Sequence, residues 1–157
     1  MARYEARCIG IRDGDTFVAH YRNISRVPGF KSTLETDPSI AVRLLGIQCP
    51  EKKDPGGPEA TAFAVEWFRR HMHGADGLGD QNLWLDEAGY DHFTRLLGMV
   101  TCREDGSCLN AELLNAGHAT VYRGTLDAAA HRAGLAALSR QGSLHAQRIL
   151  KAMEAQT

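Results

Sequence analysis

Two charged residues flank the end of an apolar run, and their chemistry suggests one shared ligand. Arg43 lies within the apolar run 42–47, and Glu51 follows the run directly after Pro50. Burying a guanidinium group is costly unless an anion meets it. We therefore expect a strand and the turn after it to hold Arg43 and Glu51 around one anionic ligand.

The order of these residues resembles the signature R-L-x-G-I-D-x-P-E of the staphylococcal nuclease (thermonuclease) family. Residues 43–51 read Arg-Leu-Leu-Gly-Ile-Gln-Cys-Pro-Glu in this chain. Two further stretches match in the same order, Asp-Gly-Asp-Thr at 13–16 and Arg-Leu-Leu at 95–97. The resemblance covers residues 4–122 well and the remaining tail only in general character.

The resemblance implies hydrolysis of phosphodiester bonds in DNA and RNA with little sequence preference. That reaction needs an activated water, positive charge where negative charge develops, and usually a divalent metal. Glu51 is expected to orient or deprotonate the water as a general base. Arg43 and Arg95 are expected to act electrostatically on the phosphate, since the pKa of arginine is too high for easy proton donation. Asp15 is expected to bind the metal, which is calcium in this family, although oxygen ligands also suit other divalent ions.

Three positions depart from the family pattern. Gln48 stands where the family has an aspartate that ligates the metal, and its amide oxygen brings no charge. We expect weaker metal binding as a result. Cys49 stands where the family often has threonine or a small residue whose backbone carbonyl ligates the metal. Cys49 would still offer that carbonyl, because the group does not depend on the side chain. In the pattern D-x-x-G-R, here residues 91–95, Thr94 replaces the glycine.

Four further residues are candidates for contacts with a nucleic-acid substrate, for which a single strand is the preferred form. The rings of Phe93 and Tyr122 are placed to stack on a splayed base, or else they are aromatic residues of the core or its rim. Lys52 and Lys53 would contact flanking phosphates, or else they belong to a solvated loop.

The hydrophobic pattern predicts an α+β protein, a five-stranded Greek-key barrel of the OB type with helices. The predicted strands are 4–12, 16–21, 39–47, 83–85 and 95–102. The predicted helices start at Pro58 and Asn110, and the helical tail from 126 is interrupted at Gly142-Ser143. We expect one domain over 1–157, with the barrel and its helices in 1–123 and a helical tail in 124–157.

Composition leaves the partner open. The formal net charge is −1, so the whole molecule does not carry the strong positive charge typical of many polyanion-binding proteins. No apolar run reaches the ~20 residues of a membrane span. The first residues show no secretory signal, which indicates a cytoplasmic protein, or a secreted one if a leader is missing. The four cysteines contain no C-x-x-C pair; Cys102 and Cys108 could form a disulfide across a hairpin, but free thiols are favoured.

Two rival functions remain beside a metal-dependent nuclease. Gln48 and the near-zero net charge would also suit a degenerate nucleic-acid- or protein-binding module of the same fold, without catalysis. A component of a mobile-element or phage assembly is the other rival, and it would bind a protein partner through the C-terminal helices. Retention of Arg43, Glu51 and Arg95 favours the nuclease.

Overall fold

Five strands form a closed barrel in the computed structural model, which describes residues 2–26, 33–36, 39–71, 82–122 and 128–154. The strands are β1 (Ala2–Asp13), β2 (Thr16–Arg26), β3 (Thr33–Thr36), β4 (Ser39–Leu44), β5 (Ile47–Gln48), β6 (Leu83–Tyr90), β7 (Leu96–Cys102) and β8 (Thr120–Val121). The helices are α1 (Gly57–His71), α2 (Leu109–Asn115), α3 (Ala128–Arg140) and α4 (Leu144–Glu154). The predicted α+β class and OB-type barrel are confirmed.

The barrel runs in the order β1-β6-β7-β4-β2 and closes where β2 pairs with β1. All of these pairings are antiparallel except that of β4 with β7, which is parallel. Parallel neighbours begin at the same edge of a sheet. The start of β4 and the segment that leads into β7 therefore lie side by side, and both contribute to the candidate site.

The barrel interior and the helices that cover it form one apolar cluster. Val42 and Leu44 of β4 point into it, as do Leu83 and Leu85 of β6, and all four side chains are buried. On α1, Ala60, Ala64 and Trp67 recur at helical spacing and are buried, whereas Phe63 and His71 on the same side are partly buried. This burial fixes which faces of β4 and α1 turn inward.

Three predicted strand boundaries were wrong. The second predicted strand ends at residue 21, but β2 continues to Arg26 and pairs with β3, which no predicted strand covers. Likewise β6 continues beyond 85 to Tyr90, where Arg3 and Asp86 form a cross-strand ion pair at 2.7 Å. The prediction used the alternation of apolar and polar residues to recognise strands. A ladder can also be extended by charged and polar cross-strand pairs, which show no such alternation. The predicted strand 39–47 is interrupted at Gly46, whose φ of 79° requires a left-handed turn.

The C-terminal helices follow the sequence prediction. Gly142 has a φ of 88°, and the Ser143 hydroxyl accepts a hydrogen bond from the Ala146 backbone N–H at 3.2 Å. The glycine thus follows the end of α3, and the serine caps α4. All four cysteines are free thiols. Within the described ranges, every helix is too short or too polar to cross a bilayer.

Candidate functional site

A cleft of about 730 Å³ opens on one side of the barrel. Four segments supply its walls: the β1–β2 turn, the outer half of β4, the segment after β5, and the segment that enters β7. The lining residues that the structure describes are Arg12, Asp13, Asp15, Thr16, Ser39, Ile40, Ala41, Arg43, Gln48, Cys49, Glu51, Phe93, Thr94 and Arg95. The cleft therefore contains Arg43, Glu51 and Arg95, which are far apart in sequence.

Arg43 lies on β4 between Thr16 of β2 and Leu97 of β7. Its side chain is 15% exposed, and its Nη1 lies 3.2 Å from the Asp15 carboxylate. Its Nη2 donates to the Ile47 carbonyl at 3.3 Å, and the guanidinium lies 5.3 Å from the centroid of the Tyr122 ring. The arginine in this apolar strand is thus neutralised by Asp15 and held from two other sides.

Asp15 is buried in the turn between β1 and β2, with 2% exposure. One carboxylate oxygen accepts the Cys49 backbone N–H at 2.7 Å, and the other accepts the Thr16 hydroxyl at 3.0 Å. The turn packs so closely on α1 that a Cβ at Gly14 would lie 2.9 Å from the Cβ of Ala60. Asp15 thereby joins the β1–β2 turn to the segment after β5.

Arg95 is held by a local loop at the entrance to β7. The Asp91 carboxylate accepts its Nε–H at 2.7 Å and the backbone N–H groups of Arg95 and Phe93, both at 2.9 Å. Burial alone would raise the pKa of Asp91, but these hydrogen bonds and the Arg95 charge outweigh it and lower the pKa. Thr94 has a φ of 60°, a left-handed conformation that glycine adopts without strain and threonine does not.

Glu51 points into solvent at the rim of the cleft. Its side chain is 66% exposed, and Oε2 lies 3.4 Å from the Lys53 ammonium group. Its backbone carbonyl accepts the Asp54 N–H at 2.8 Å, and a Cβ at Gly57 would overlap that same carbonyl. A tight turn closed by Gly57 therefore fixes the backbone at Glu51 and leaves the carboxylate free to meet a solute.

The comparison with protein families agrees with this geometry. The family described as staphylococcal nuclease homologues matches residues 41–148. The chain belongs to this family. No curated protein matches the sequence. The match begins in β4 and runs into α4, so it includes part of the tail, which the sequence motifs matched only in general character.

The three residues that the sequence predicts as metal ligands all line the cleft, and each offers an oxygen donor for a hard cation. The donors are the Asp15 carboxylate, the exposed amide of Gln48, and the segment at Cys49 whose carbonyl was predicted as a ligand. The set fits a divalent cation in donor type but is poor in charge, because Arg43 already pairs with Asp15. In the described part of the chain, no three histidine, cysteine or acidic side chains form a metal-binding group.

The Cys49 thiol is not a competing ligand. Burial raises its pKa to about 12, with a further contribution from the Asp15 charge that the Arg43 charge opposes. The thiol is 5% exposed and stays protonated at neutral pH. A soft metal would need the thiolate, so the high pKa makes the sulfur a poor ligand, and the predicted role of Cys49 stays with its backbone carbonyl.

The four predicted substrate-contacting residues differ in position. Phe93 lines the cleft, is 76% exposed, and lies under the Arg95 guanidinium at 5.3 Å. Tyr122 is 42% exposed and contacts Arg43 from outside the described lining. Lys52 and Lys53 are exposed and also lie outside that lining, although the Lys52 N–H donates to Asp13 at 2.9 Å. Their roles stay predictions.

Sequence reasoning missed the roles of two residues, one beside the cleft and one in its lining. Asp91 holds Arg95, and its place four residues before Arg95 in a turn-forming segment was the available signal. Arg12 lines the cleft beside the β1–β2 turn. It adds a third arginine to a lining that has three carboxylates among the described residues, Asp13, Asp15 and Glu51. No sequence motif singled it out.

Proposed function

We propose that this protein is a metal-dependent nuclease that hydrolyses phosphodiester bonds of DNA, RNA or both with little sequence specificity. The observation that carries the proposal is the convergence of Arg43, Arg95 and Glu51 on one cleft. Two guanidinium groups and one solvent-facing carboxylate suit attack of water on a phosphate. Membership of the staphylococcal nuclease family supports the same reading.

The carboxylate of Glu51 acts on the water. Its exposure allows a water to lie between it and a bound phosphate, and the fixed backbone turn limits where that carboxylate can reach. Glu51 orients this water and accepts its proton as the oxygen attacks phosphorus. The Lys53 ammonium group lies 3.4 Å from this carboxylate but is itself 80% exposed, so solvent screens the ion pair.

The two arginines stabilise the charge that builds on the phosphate oxygens. Arg43 pairs with Leu97 of the adjacent strand β7, and Arg95 directly precedes β7, two residues before Leu97. Both arginines line the cleft, so their guanidinium groups can approach one phosphate from the same wall. Each is already oriented by an aspartate, Asp15 or Asp91. Preoriented donors need little reorganisation during the reaction, which is the main source of electrostatic catalysis.

Asp15, Gln48 and the Cys49 carbonyl would hold the metal, for which we propose calcium. When bound, a divalent cation polarises the phosphate and offsets its charge. Asp15 must share its carboxylate between that ion and Arg43, since Nη1 of Arg43 lies 3.2 Å away. The chain therefore binds metal weakly by the standard of a site with two carboxylates.

The test is cleavage of a labelled single-stranded DNA with calcium, with magnesium or manganese, and with EDTA. Glu51→Gln should lower the rate about 10²–10⁴-fold, the usual contribution of a general base. Glu104→Gln is the matched control, because Glu104 is exposed in the turn after β7 and away from the cleft lining. Cleavage by Glu51→Gln at the rate of the unmodified protein would disprove this mechanism.

A binding module without catalysis is the second candidate, and the charge of the metal site favours it. Gln48 brings no charge, and the Asp15 carboxylate is engaged with Arg43. Saturable binding of single-stranded nucleic acid, with no turnover under any divalent metal, would establish this alternative. Gln48→Asp separates the two candidates further, since it should raise calcium affinity measured by calorimetry. Activity that appears only in this variant would mark a lapsed nuclease.

A role within a mobile-element or phage assembly has the weakest support. Among the tail residues that the structure describes, Leu144 would suit a protein partner, because it is a large apolar side chain that is 63% exposed at the start of α4. A stable complex formed through residues 126–157 would favour this role. A monodisperse monomer during sedimentation would count against it.

A further inference from the structure

Arg12 occupies an irregular position in the barrel. Ile11 pairs with Phe17 and Asp13 pairs with Thr16, so two steps along β1 correspond to one step along β2. Arg12 is therefore the extra residue of a β-bulge. Bulges change the direction in which a side chain points and are common beside active sites. This bulge leaves the Arg12 side chain on the wall of the cleft.

The guanidinium of Arg12 differs from the other two in having no aspartate partner. Arg43 pairs with Asp15, and Arg95 pairs with Asp91. Arg12 is exposed and, among the residues that the structure describes, makes neither an ion pair nor a hydrogen bond. It can therefore bind an anion from solution without first breaking a contact within the protein.

The strand order sets its distance from the other arginines. Arg12 lies on β1, two strands away from β4, which carries Arg43, whereas β4 and β7 are direct neighbours. At ~4.8 Å between strands, the backbones at Arg12 and Arg43 are separated by roughly 10 Å. Arg43 and Arg95 can meet one phosphate, but Arg12 is better placed for a phosphate farther along a bound chain.

We propose that Arg12 forms a second phosphate-binding subsite, which makes the cleft select a polynucleotide over an isolated phosphodiester. This inference rests on the proposed nuclease function for the identity of the ligand. Arg12 would bind the backbone and read no base, because phosphate contacts fix position and register and do not specify sequence. The subsite thus fits a nuclease of low sequence specificity.

The first test measures binding without turnover. A fluorescent twelve-residue oligothymidylate is titrated against the Glu51→Gln protein over a range of salt concentrations, and its anisotropy reports the affinity. Adding Arg12→Gln should weaken binding about fivefold at low salt and reduce the salt slope by about 0.7, the value for one phosphate contact with a single strand. Adding Arg12→Lys should keep most of the slope, because it keeps the charge.

Arg69→Gln is the matched control on the surface of α1, where Arg69 is 73% exposed and pairs with Glu66 at 3.3 Å. It removes the same charge from the molecule but lies outside the cleft. A salt slope that is equal in Arg12→Gln and its parent overturns the proposal, as does an equal drop in Arg69→Gln. A midpoint temperature of thermal unfolding equal to that of the parent shows that each variant keeps the fold.

The second test measures substrate choice. The protein with Glu51 intact is assayed on two substrates, the oligonucleotide and the single phosphodiester bis(p-nitrophenyl) phosphate. Arg12→Gln should lower kcat/KM for the oligonucleotide about fivefold relative to kcat/KM for the single phosphodiester. An unchanged ratio overturns the proposal. Binding without any cleavage would reject the nuclease function. The salt slope would then still show whether Arg12 contacts a phosphate of the bound strand. Cleavage with an unchanged slope would reject the Arg12 subsite alone.

Discussion

The two arginines of the proposed mechanism are each held by an aspartate before any substrate binds. Asp15 pairs with Arg43 inside the barrel wall, and Asp91 pairs with Arg95 in the loop before β7. The pairs differ in exposure: the side chains of Arg43 and Asp15 are 15% and 3% exposed, and those of Arg95 and Asp91 are 27% and 14% exposed. Solvent therefore screens the second pair more than the first.

Replacement of Asp91 by asparagine tests how much the loop depends on this charge. We expect Asp91→Asn to lower the free energy of unfolding by about 1 kcal/mol at pH 7, after a discount for solvent screening. Because the pKa of Asp91 is lowered in the folded state, its contribution is complete above the ordinary aspartate pKa of about 3.9 and is lost as the pH falls through the folded-state pKa.

Urea unfolding of both proteins at neutral and at acid pH measures this difference. The gap between them should close at acid pH, where Asp91 becomes protonated. An equal gap at both pH values would mean that the asparagine disturbs the loop by its shape and not by its lack of charge.

The buried thiols should resist alkylation, since the thiolate is the reactive form. Burial raises the pKa of Cys49 and of Cys108 to about 12 and that of Cys8 to about 11. Iodoacetamide at pH 7.5 should leave the native protein unmodified, whereas all four cysteines should react in urea. Intact mass measures the number of adducts. A single adduct mapped to Cys49 in the native protein would contradict its burial.

At the scale of elements, one side chain connects the strands of the site to the helix behind them. Asn110 of α2 is completely buried, and its Oδ1 accepts the Val100 N–H of β7 at 3.0 Å. Its Nδ2 donates to the Leu45 carbonyl at 3.0 Å and the Gly98 carbonyl at 3.1 Å. Leu45 directly follows β4, so this amide ties together the two strands that carry or lead from the arginines.

Loss of the Asn110 amide should lower the free energy of unfolding markedly. Asn110→Ala removes the partners of the Val100 N–H and the Leu45 carbonyl, while the Gly98 carbonyl keeps the Leu45 N–H at 2.9 Å. Two buried groups without partners should lower the free energy of unfolding by about 3 kcal/mol. Asn115→Ala on the same helix is the control, because its exposed amide makes one long hydrogen bond of 3.4 Å. Urea unfolding that ranks the two variants equally would contradict this role.

Sequence reasoning found the elements that apolar periodicity defines and missed those that polar pairing defines. The stripe on α1 and the break at Gly142 were predictable from local pattern and turn chemistry. The β2–β3 ladder was not, since its pairs, such as Asn23 with Thr36, carry no apolar alternation. Asn110 was equally hidden, because a buried amide looks like any helical asparagine until its partners are known.

The same division holds for the candidate site. Arg43 was predictable because a charge in an apolar run requires an anionic partner, which in the structure is Asp15. The family motifs supplied Glu51, Asp15 and Arg95. Arg12 was not, because its direction depends on a bulge that only the register between β1 and β2 reveals. Asp91 was recognisable as part of a motif but not as the residue that accepts three hydrogen bonds.

At the scale of the whole molecule, the C-terminal helices contact the barrel close to the site. Leu138 of α3 is completely buried, and its Cδ1 lies 2.9 Å from where a Cβ at Gly46 would be. Gly46 lies in the turn between Arg43 on β4 and Gln48 on β5. The tail therefore packs against the segment that separates Arg43, proposed to bind phosphate, from Gln48, a proposed metal ligand.

This contact predicts that the tail and the barrel unfold together as one domain. Leu138→Ala should lower the free energy of unfolding by about 3 kcal/mol, as for other buried leucines. Leu144→Ala in α4 should change it by about 0.5 kcal/mol or less, since Leu144 is 63% exposed. Fluorescence from Trp67 and Trp84 reports the barrel and α1, and circular dichroism reports the helices. Coincident midpoints in both variants would support one cooperative unit, because a buried contact shared by tail and barrel couples their unfolding.

The opposite result would show that the tail unfolds as an independent unit. In that case Leu138→Ala would shift the helical transition seen by circular dichroism and leave the tryptophan midpoint unchanged. The Gly46 turn would then owe its geometry to the barrel alone.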